Sequence, residues 1–193
     1  MIIFLEGKFV VKTPAFVWLE ANGIGYEVNI SLNTFGHIQH LEKGKLLTYL
    51  QIKEDSHSLF GFFDEEERNM FLALISVSGV GSNTARMMLS SMKSEEIRRA
   101  ILANDERTLE KIKGIGTKSA KRLILELKDK MLKLKGSENK IDLSYNNLEE
   151  DALHALISLG IARTAAQNAL QKAIKLQPDL SLEDMIKTAL KNI

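Results

Sequence analysis

Cysteine is absent from the 193-residue chain. That removes a disulfide framework and any thiolate metal site. Aromatic residues are scarce, at 6%. A single-strand-binding barrel needs exposed aromatics on its strands for base stacking, and Tyr26, Tyr49 and Phe60 read as core. No apolar run approaches the roughly 20 residues of a membrane span. The start, MIIFLEGKF, lacks a basic leader and soon reaches Glu6, so it does not read as a secretory signal, and a cytoplasmic location is expected. No G-x-x-x-x-G-K-[ST] phosphate loop is present, because Gly44-Lys45 lacks the matching upstream glycine. Charge of one sign is lacking too: 26 Lys and Arg face 25 Asp and Glu, a net of +1.

What is there is unevenly spread. Residues 1–64 carry 5 basic and 7 acidic side chains, residues 107–135 carry 10 and 3, and residues 148–193 carry 5 and 6. The positive field is concentrated in one segment, which is the footprint of a polyanion partner or of a solvated lysine-rich helix face. The hydrophobic fraction of 45% is ordinary for globular proteins.

The first third alternates apolar and polar residues. FVWLE and GYEVNI are joined by Asn22-Gly23, a pair suited to a two-residue hairpin, and Tyr26, Val28 and Ile30 share one face. With LLTYLQI and SLFGFF, the pattern predicts a small barrel or sandwich. From Asp64 the period becomes helical, with acids in DEEERNMFLALISV suiting a helix start. Further helices are expected over 84–92, 94–103, 105–112 and 118–134. GSENKIDLSYNN (136–147) is polar and small and reads as a linker. Residues 148–193 hold three short helical stretches, the last opened by a capping-box-like Ser181-Leu182-Glu183-Asp184.

A shift of 35 positions lays LISVSGVGSNTARMML (74–89) over LEKIKGIGTKSAKRLI (109–124). Gly79 meets Gly114, Gly81 meets Gly116, Val80 meets Ile115, Ser82 meets Thr117 and Ala85 meets Ala120. Each copy ends one helix, turns through Gly-apolar-Gly and starts another. Glycine permits positive φ and close approach of a ligand to the backbone. The first amides of the new helix lack partners and, with the helix dipole, favour a phosphate. Lys118, Lys121 and Arg122 add charge there. The pair looks like tandem helix-hairpin-helix motifs that grip a phosphate backbone without reading bases; the structural alternative is two glycine helix caps.

MIIFLEGK, GIGYEV, KEDSHSLFGF, ERNMFLALISVSGVG, IKGIGTKSAKRLILELKDK and ALISLG, in this order over essentially the whole chain, resemble the RuvA family. These are the Holliday-junction-binding subunits of the bacterial branch-migration machine. The resemblance implies an α+β multidomain protein. Residues 1–64 would be an OB-like β-barrel, 65–135 the tandem helix-hairpin-helix domain, 136–147 a linker and 148–193 a three-helix, UBA-like module. It implies a non-catalytic DNA-binding subunit without cofactor or metal, acting in recombination, DNA repair and the SOS response to DNA damage. Its partners would be Holliday junction DNA, the RuvB ATPase, the RuvC resolvase in a larger complex, and copies of itself in a homotetramer or an octamer.

Residue by residue, the resemblance assigns DNA contacts to Gly79, Val80, Gly81, Ser82, Asn83, Gly114, Ile115, Gly116, Thr117, Lys118, Lys121 and Arg122. Glu54 and Asp55 would be an acidic pin at the tetramer's centre, discouraging misplaced phosphates by repulsion; on the residues alone they read as a solvated hairpin turn. His37, His40 and His57 are too scattered for a metal site. Leu156, Leu159, Ile161 and Leu190 correspond to motor-contacting positions. Asn83 stands where many relatives have lysine, only Lys118 stands where two lysines are common, and Ile161 stands where an aromatic is frequent. The second turn is therefore expected to contribute more charge, and the first to rely on amides and on the Ser82 and Asn83 side chains. The rival is a helix-hairpin-helix glycosylase or nuclease, for which Asp129 is the first aspartate after Gly116.

Overall fold

The computed structural model describes residues 1–135, 146–176 and 180–192, and the chain separates into two compact units, 1–138 and 139–193. The expected linker lies, as far as residue 145, outside the described residues.

In the first unit, strands β1 (Phe4–Lys12), β2 (Phe16–Ala21), β3 (Ile24–Ile30), β4 (Lys43–Ile52) and β5 (His57–Phe62) close into a barrel in the order β1-β2-β3-β5-β4. The β2–β3 hairpin forms at the expected place. Asn22 and Gly23 have φ of +52° and +83°, and Ala21 faces Ile24 across the turn; both positive angles are what a type I′ turn needs. Alternation sends Val17, Leu19, Val28, Ile30, Leu46 and Leu59 into the barrel core. Outward positions pair across strands, as where Trp18 Nε1 donates to Glu27 Oε2 at 3.0 Å.

Helix α1 (Leu32–Ile38) was not anticipated. Its seven residues carry Gly36 and two β-branched residues, a weak helical signal. The Ser31 hydroxyl caps it by accepting from the Thr34 amide at 3.0 Å. The excursion through α1 and β4 lets β5 return parallel to β3.

Helices α2 (Glu65–Ile75), α3 (Ser82–Ser91), α4 (Ser94–Leu102), α5 (Glu106–Glu110) and α6 (Thr117–Lys135) follow. Asp64 caps α2 through Oδ1, which accepts from the Glu67 amide at 2.8 Å. The helices do not hang from the barrel by a thread: Phe60 and Phe62 of β5 belong to the same core cluster as Phe71 and Leu74 of α2 and Leu123 and Leu127 of α6.

The second unit packs α7 (Asn146–Ser158), α8 (Arg163–Leu176) and α9 (Leu182–Lys191) around Ala152, Leu156, Ala166, Ala169, Leu170, Met185 and Ala189. Gly160, at φ +89°, ends α7 with the Ile161 amide donating to Leu156 O at 3.1 Å and the Gly160 amide to Ile157 O at 2.9 Å, a Schellman stop. Ser181 caps α9 as expected, its hydroxyl accepting from the Asp184 amide at 3.2 Å. The Asp184 carboxylate reaches that hydroxyl rather than the Ser181 amide.

Glu67 is the conspicuous buried charge, at 4% exposure. The Ser31 hydroxyl donates to Oε1 and the Thr34 hydroxyl to Oε2 at 2.6 Å, so barrel and helices share a satisfied carboxylate. Burial raises its pKa above the usual glutamate value despite the two hydroxyls, which pull it down. The native state therefore takes up a proton at a pH where the unfolded chain still lacks it. Stability from this group rises as pH falls through the folded pKa and is lost as pH rises through it. With Trp18 as the sole tryptophan, its fluorescence reports the first unit. The urea midpoint of the wild type should rise relative to that of Glu67→Gln as pH is lowered from about 7 toward the ordinary glutamate range. Parallel pH profiles would show that Glu67 titrates alike in both states.

Candidate nucleic-acid interface

The two Gly-apolar-Gly segments form matching turns. Gly79 and Gly114 have φ of +90° and +95°, a region that strains any residue with a Cβ. Each turn is tightened by an amide of the apolar residue: Val80 N–H donates to Val77 O, and Ile115 N–H to Ile112 O, both at 3.0 Å. Val80 and Ile115 are each 5% exposed and belong to the core. The apolar residue thus anchors the turn from below, and only its backbone faces out. The repeat extends to the packing, since Leu74, Val77, Ala85 and Met88 and their counterparts Leu109, Ile112, Ala120 and Leu123 are all buried in that cluster.

Gly81 provides no side chain to cap α3. Helical bonding starts with Ala85 N–H to Gly81 O in the first copy and Ala120 N–H to Gly116 O in the second, both at 2.9 Å. The amides of Ser82, Asn83 and Thr84, and of Thr117, Lys118 and Ser119, have no acceptor among the described residues. Both glycine turns are therefore followed by three open donors at a positive helix end, which suits an anion.

The two turns are tied together. Arg122 of α6 donates through Nη1 to Ser78 O at 3.1 Å, directly before the first turn, and a Cβ placed on Gly114 would meet Thr84 Cγ2 of α3 at 3.9 Å. The helix opening the second hairpin is itself capped by Asp105. The hydroxyl and amide of Thr108 hold that carboxyl below the usual aspartate value.

The side chains assigned to this surface divide into outward and engaged groups. Asn83, Thr117 and Lys118 are exposed, and Lys118 has no ion pair among the described residues. Lys121 is exposed and loosely paired with Glu106 at 3.9 Å. Arg122 is partly spent on Ser78 and on Glu126 at 3.8 Å. Ser82 departs from expectation: it is 6% exposed, and its hydroxyl accepts from Gln51 Nε2 at 2.8 Å, so it turns toward the barrel and not outward. Glu54 and Asp55 are exposed on the β4–β5 hairpin, which the Lys53 amide closes by donating to Ser56 O at 2.9 Å. Asp129, named for the rival enzyme, is exposed in the C-terminal half of α6, away from the helix start.

In the second unit, Leu159 and Leu190 are 64% and 44% exposed, and Ile161 is half-buried against the core. Leu156 is fully buried. It packs in the same core cluster as Ala166, Leu170 and Met185, so its side chain is not on the surface of the folded module.

Comparison with known families now bears on this arrangement. The profile described as RuvA N terminal domain matches residues 1–61, that of a SAM-like helix-hairpin-helix tandem matches 71–129, and that of RuvA, C-terminal domain matches 147–193. The chain is 47% identical over 193 residues to the Holliday junction branch migration complex subunit RuvA of Christiangramia forsetii, covering 100% of both. The chain belongs to the RuvA family. The RuvA proteins of Cytophaga hutchinsonii, at 47% identity with 99% of each chain covered, and of Bacteroides fragilis, at 40% with 100% covered, are similar over the same span. The OB-like barrel, the helix-hairpin-helix tandem and the C-terminal helical module are thus those of a RuvA family member.

The four glycines separate experimentally. Gly114→Ala places a Cβ at φ +95° and should cost about 1–2 kcal/mol of stability by denaturant unfolding. At Gly116 φ is not positive and nothing lies within 4 Å of an added Cβ. Gly116→Ala should therefore unfold within about 0.5 kcal/mol of the wild type while still weakening DNA binding, because the methyl keeps a phosphate from the amides. Equal stability losses in the two variants would contradict this division.

Proposed function

We propose that this protein binds four-way DNA junctions by shape and by phosphate contacts, holds them open as a homotetramer, and recruits and stimulates the RuvB ATPase for branch migration. The observation that carries this reading is the pair of open-amide turns on one rigid unit, tied together through Arg122 and Ser78. Two such turns a short distance apart grip successive phosphates of one duplex arm, and four identical subunits supply one grip per arm. Lys118 and Lys121 add charge at the second turn; the unpaired amides and Asn83 serve at the first. Family membership supports the junction as target, since the relatives are named as subunits of the Holliday junction branch migration complex.

In this reading Glu54 and Asp55 stand near the strand-crossing point, where carboxylates repel a phosphate that strays from its path. The exposed Leu159 and Leu190, with the half-buried Ile161, form the motor-docking surface. RuvC joins the larger complex, with the protein bound to the junction as a homotetramer or an octamer. The protein itself breaks no bond; the chemistry is the motor's ATP hydrolysis, and the setting is the cytoplasm.

A gel shift tests the core of the proposal. A synthetic four-way junction should give discrete complexes that survive excess linear duplex of the same arm sequence. Binding should weaken with salt, with a slope of roughly −0.9 per phosphate neutralised. Equal affinity for junction and duplex would reduce the function to generic duplex binding, and protein-dependent cleavage of either substrate would revive the enzyme. Deleting residues 148–193 should spare junction binding and abolish stimulation of the RuvB ATPase; loss of junction binding by the truncated chain would contradict that division of labour.

A further inference from the structure

The hydrogen bond from Gln51 Nε2 to Ser82 Oγ, at 2.8 Å, joins two parts of the surface that the proposed function uses separately. Gln51 lies on β4 opposite Ser58 of β5, one residue pair inside Ile52 and His57, which close the strand ladder below the loop carrying Glu54 and Asp55. Ser82 is the first residue of α3 and follows the first glycine turn directly. We infer that Gln51 is a positioning residue that sets the acidic hairpin in register with the first phosphate-gripping turn. The inference rests on the reading of the protein as a junction binder.

Three features favour positioning over generic support. The bond is partly shielded, Gln51 being half-buried and Ser82 6% exposed, so water competes for it less than at an open surface. Beyond Ile52 and His57 the acidic loop is bonded, among the described residues, to itself alone, through Lys53 N–H to Ser56 O and Ser56 Oγ to Asp55 Oδ1 at 3.2 Å. A two-stranded ribbon projecting in this way is marginal alone and takes its aim from its base. At the other end, Ser82 carries one of the open amides. The turn it follows is linked to the second through Ser78 and Arg122, so one side-chain amide connects the acidic loop to both turns. The Ser82 hydroxyl is thereby oriented by the barrel and not by DNA.

The test compares Gln51→Met, which keeps side-chain length but cannot donate, with Ser82→Ala and the double variant in the full-length chain. Two readouts are used: the ratio of junction to linear-duplex affinity, and opening of a doubly labelled junction by fluorescence energy transfer. Gln51→Met should leave linear-duplex affinity and the unfolding midpoint near wild type, lower the junction-to-duplex ratio roughly 3- to 10-fold, the scale of one partly shielded hydrogen bond, and shift the bound junction away from the open form. Adding Ser82→Ala to Gln51→Met should change the ratio little further, since the two share one bond. A wild-type ratio and wild-type opening in Gln51→Met would overturn the positioning role alone, as would additive losses in the double variant. A wild-type protein that does not prefer the junction would overturn the proposed function and this inference with it. A Gln51→Met protein that loses linear-duplex affinity in step with its unfolding midpoint would make Gln51 a fold residue and also overturn the inference.

Discussion

Phe71 is where the barrel becomes part of a DNA-facing body. Its ring is fully buried among Tyr49 of β4 and Phe60 and Phe62 of β5, with centroids 5.5, 5.3 and 4.8 Å away and every pair tilted. Tilted pairs of this kind add to the burial of large apolar surface. Truncating such a ring to alanine typically costs about 3–5 kcal/mol, a large part of the roughly 5–15 kcal/mol that holds a domain together. The cluster that starts here runs without a break to Val80 and Ile115, the apolar residues inside the two glycine turns. A turn that is to meet a phosphate within hydrogen-bond distance, as the proposed function requires, cannot ride on a loose hinge. Phe71 and its neighbours remove that hinge by making barrel and hairpins share one core.

Around this apolar joint lies a seam of polar contacts that fixes rotation as well as distance. Asn33 of α1 donates to Leu89 O at 2.6 Å and Met92 O at 3.2 Å. Arg86 of α3 donates to Ala15 O and Asn29 Oδ1, and Arg68 of α2 to Thr48 O of β4. Hydrophobic burial is non-directional, whereas a hydrogen bond between shielded groups is lost when its partners slide. The seam therefore selects one docking of the helices on the barrel out of the many that the aromatic joint alone would accept. Glu67 is its buried carboxyl, whose burial is offset by the Ser31 and Thr34 hydroxyls that meet it.

What was legible in the sequence was local or repeated. Asn22-Gly23 announced its turn because both residues tolerate positive φ, and the Gly-apolar-Gly pair announced itself because duplication raises a weak signal above chance. What was not legible depends on which way a side chain faces in three dimensions. Leu156 and Leu159 share a helical stretch and a chemistry, yet one is the centre of a small core and the other projects from the helix end; periodicity in so short a bundle does not separate them. Ser82 looked like a phosphate ligand because of its neighbours, and nothing local reveals that β4 brings Gln51 to it. Arg122 reads in the sequence as added positive charge at the second turn, and its bond to a backbone carbonyl of the other repeat is a tertiary event. Helix α1 was missed because its stability comes from the Ser31 cap and from packing of Thr34 and Ile38, not from its residues' propensities.

These placements sharpen the asymmetry between the two turns. The first turn carries Asn83 and no lysine and has its serine turned inward, so it offers amides, a helix dipole and one neutral side chain. The second keeps Lys118 outward. Its neighbour Lys121 is held by Glu106 only at 3.9 Å and in solvent, a pairing worth about 1 kcal/mol or less and easily exchanged for a phosphate. Amides act over contact distance and demand correct placement; lysines act over a Debye length of about 8 Å and tolerate error. Under the proposed function, one turn of each kind would let the second capture a DNA arm and the first register it. In that reading the bond from Gln51 of the barrel to Ser82 of the first turn lies where it is needed: the contact that tolerates least error is the one that needs a rigid support.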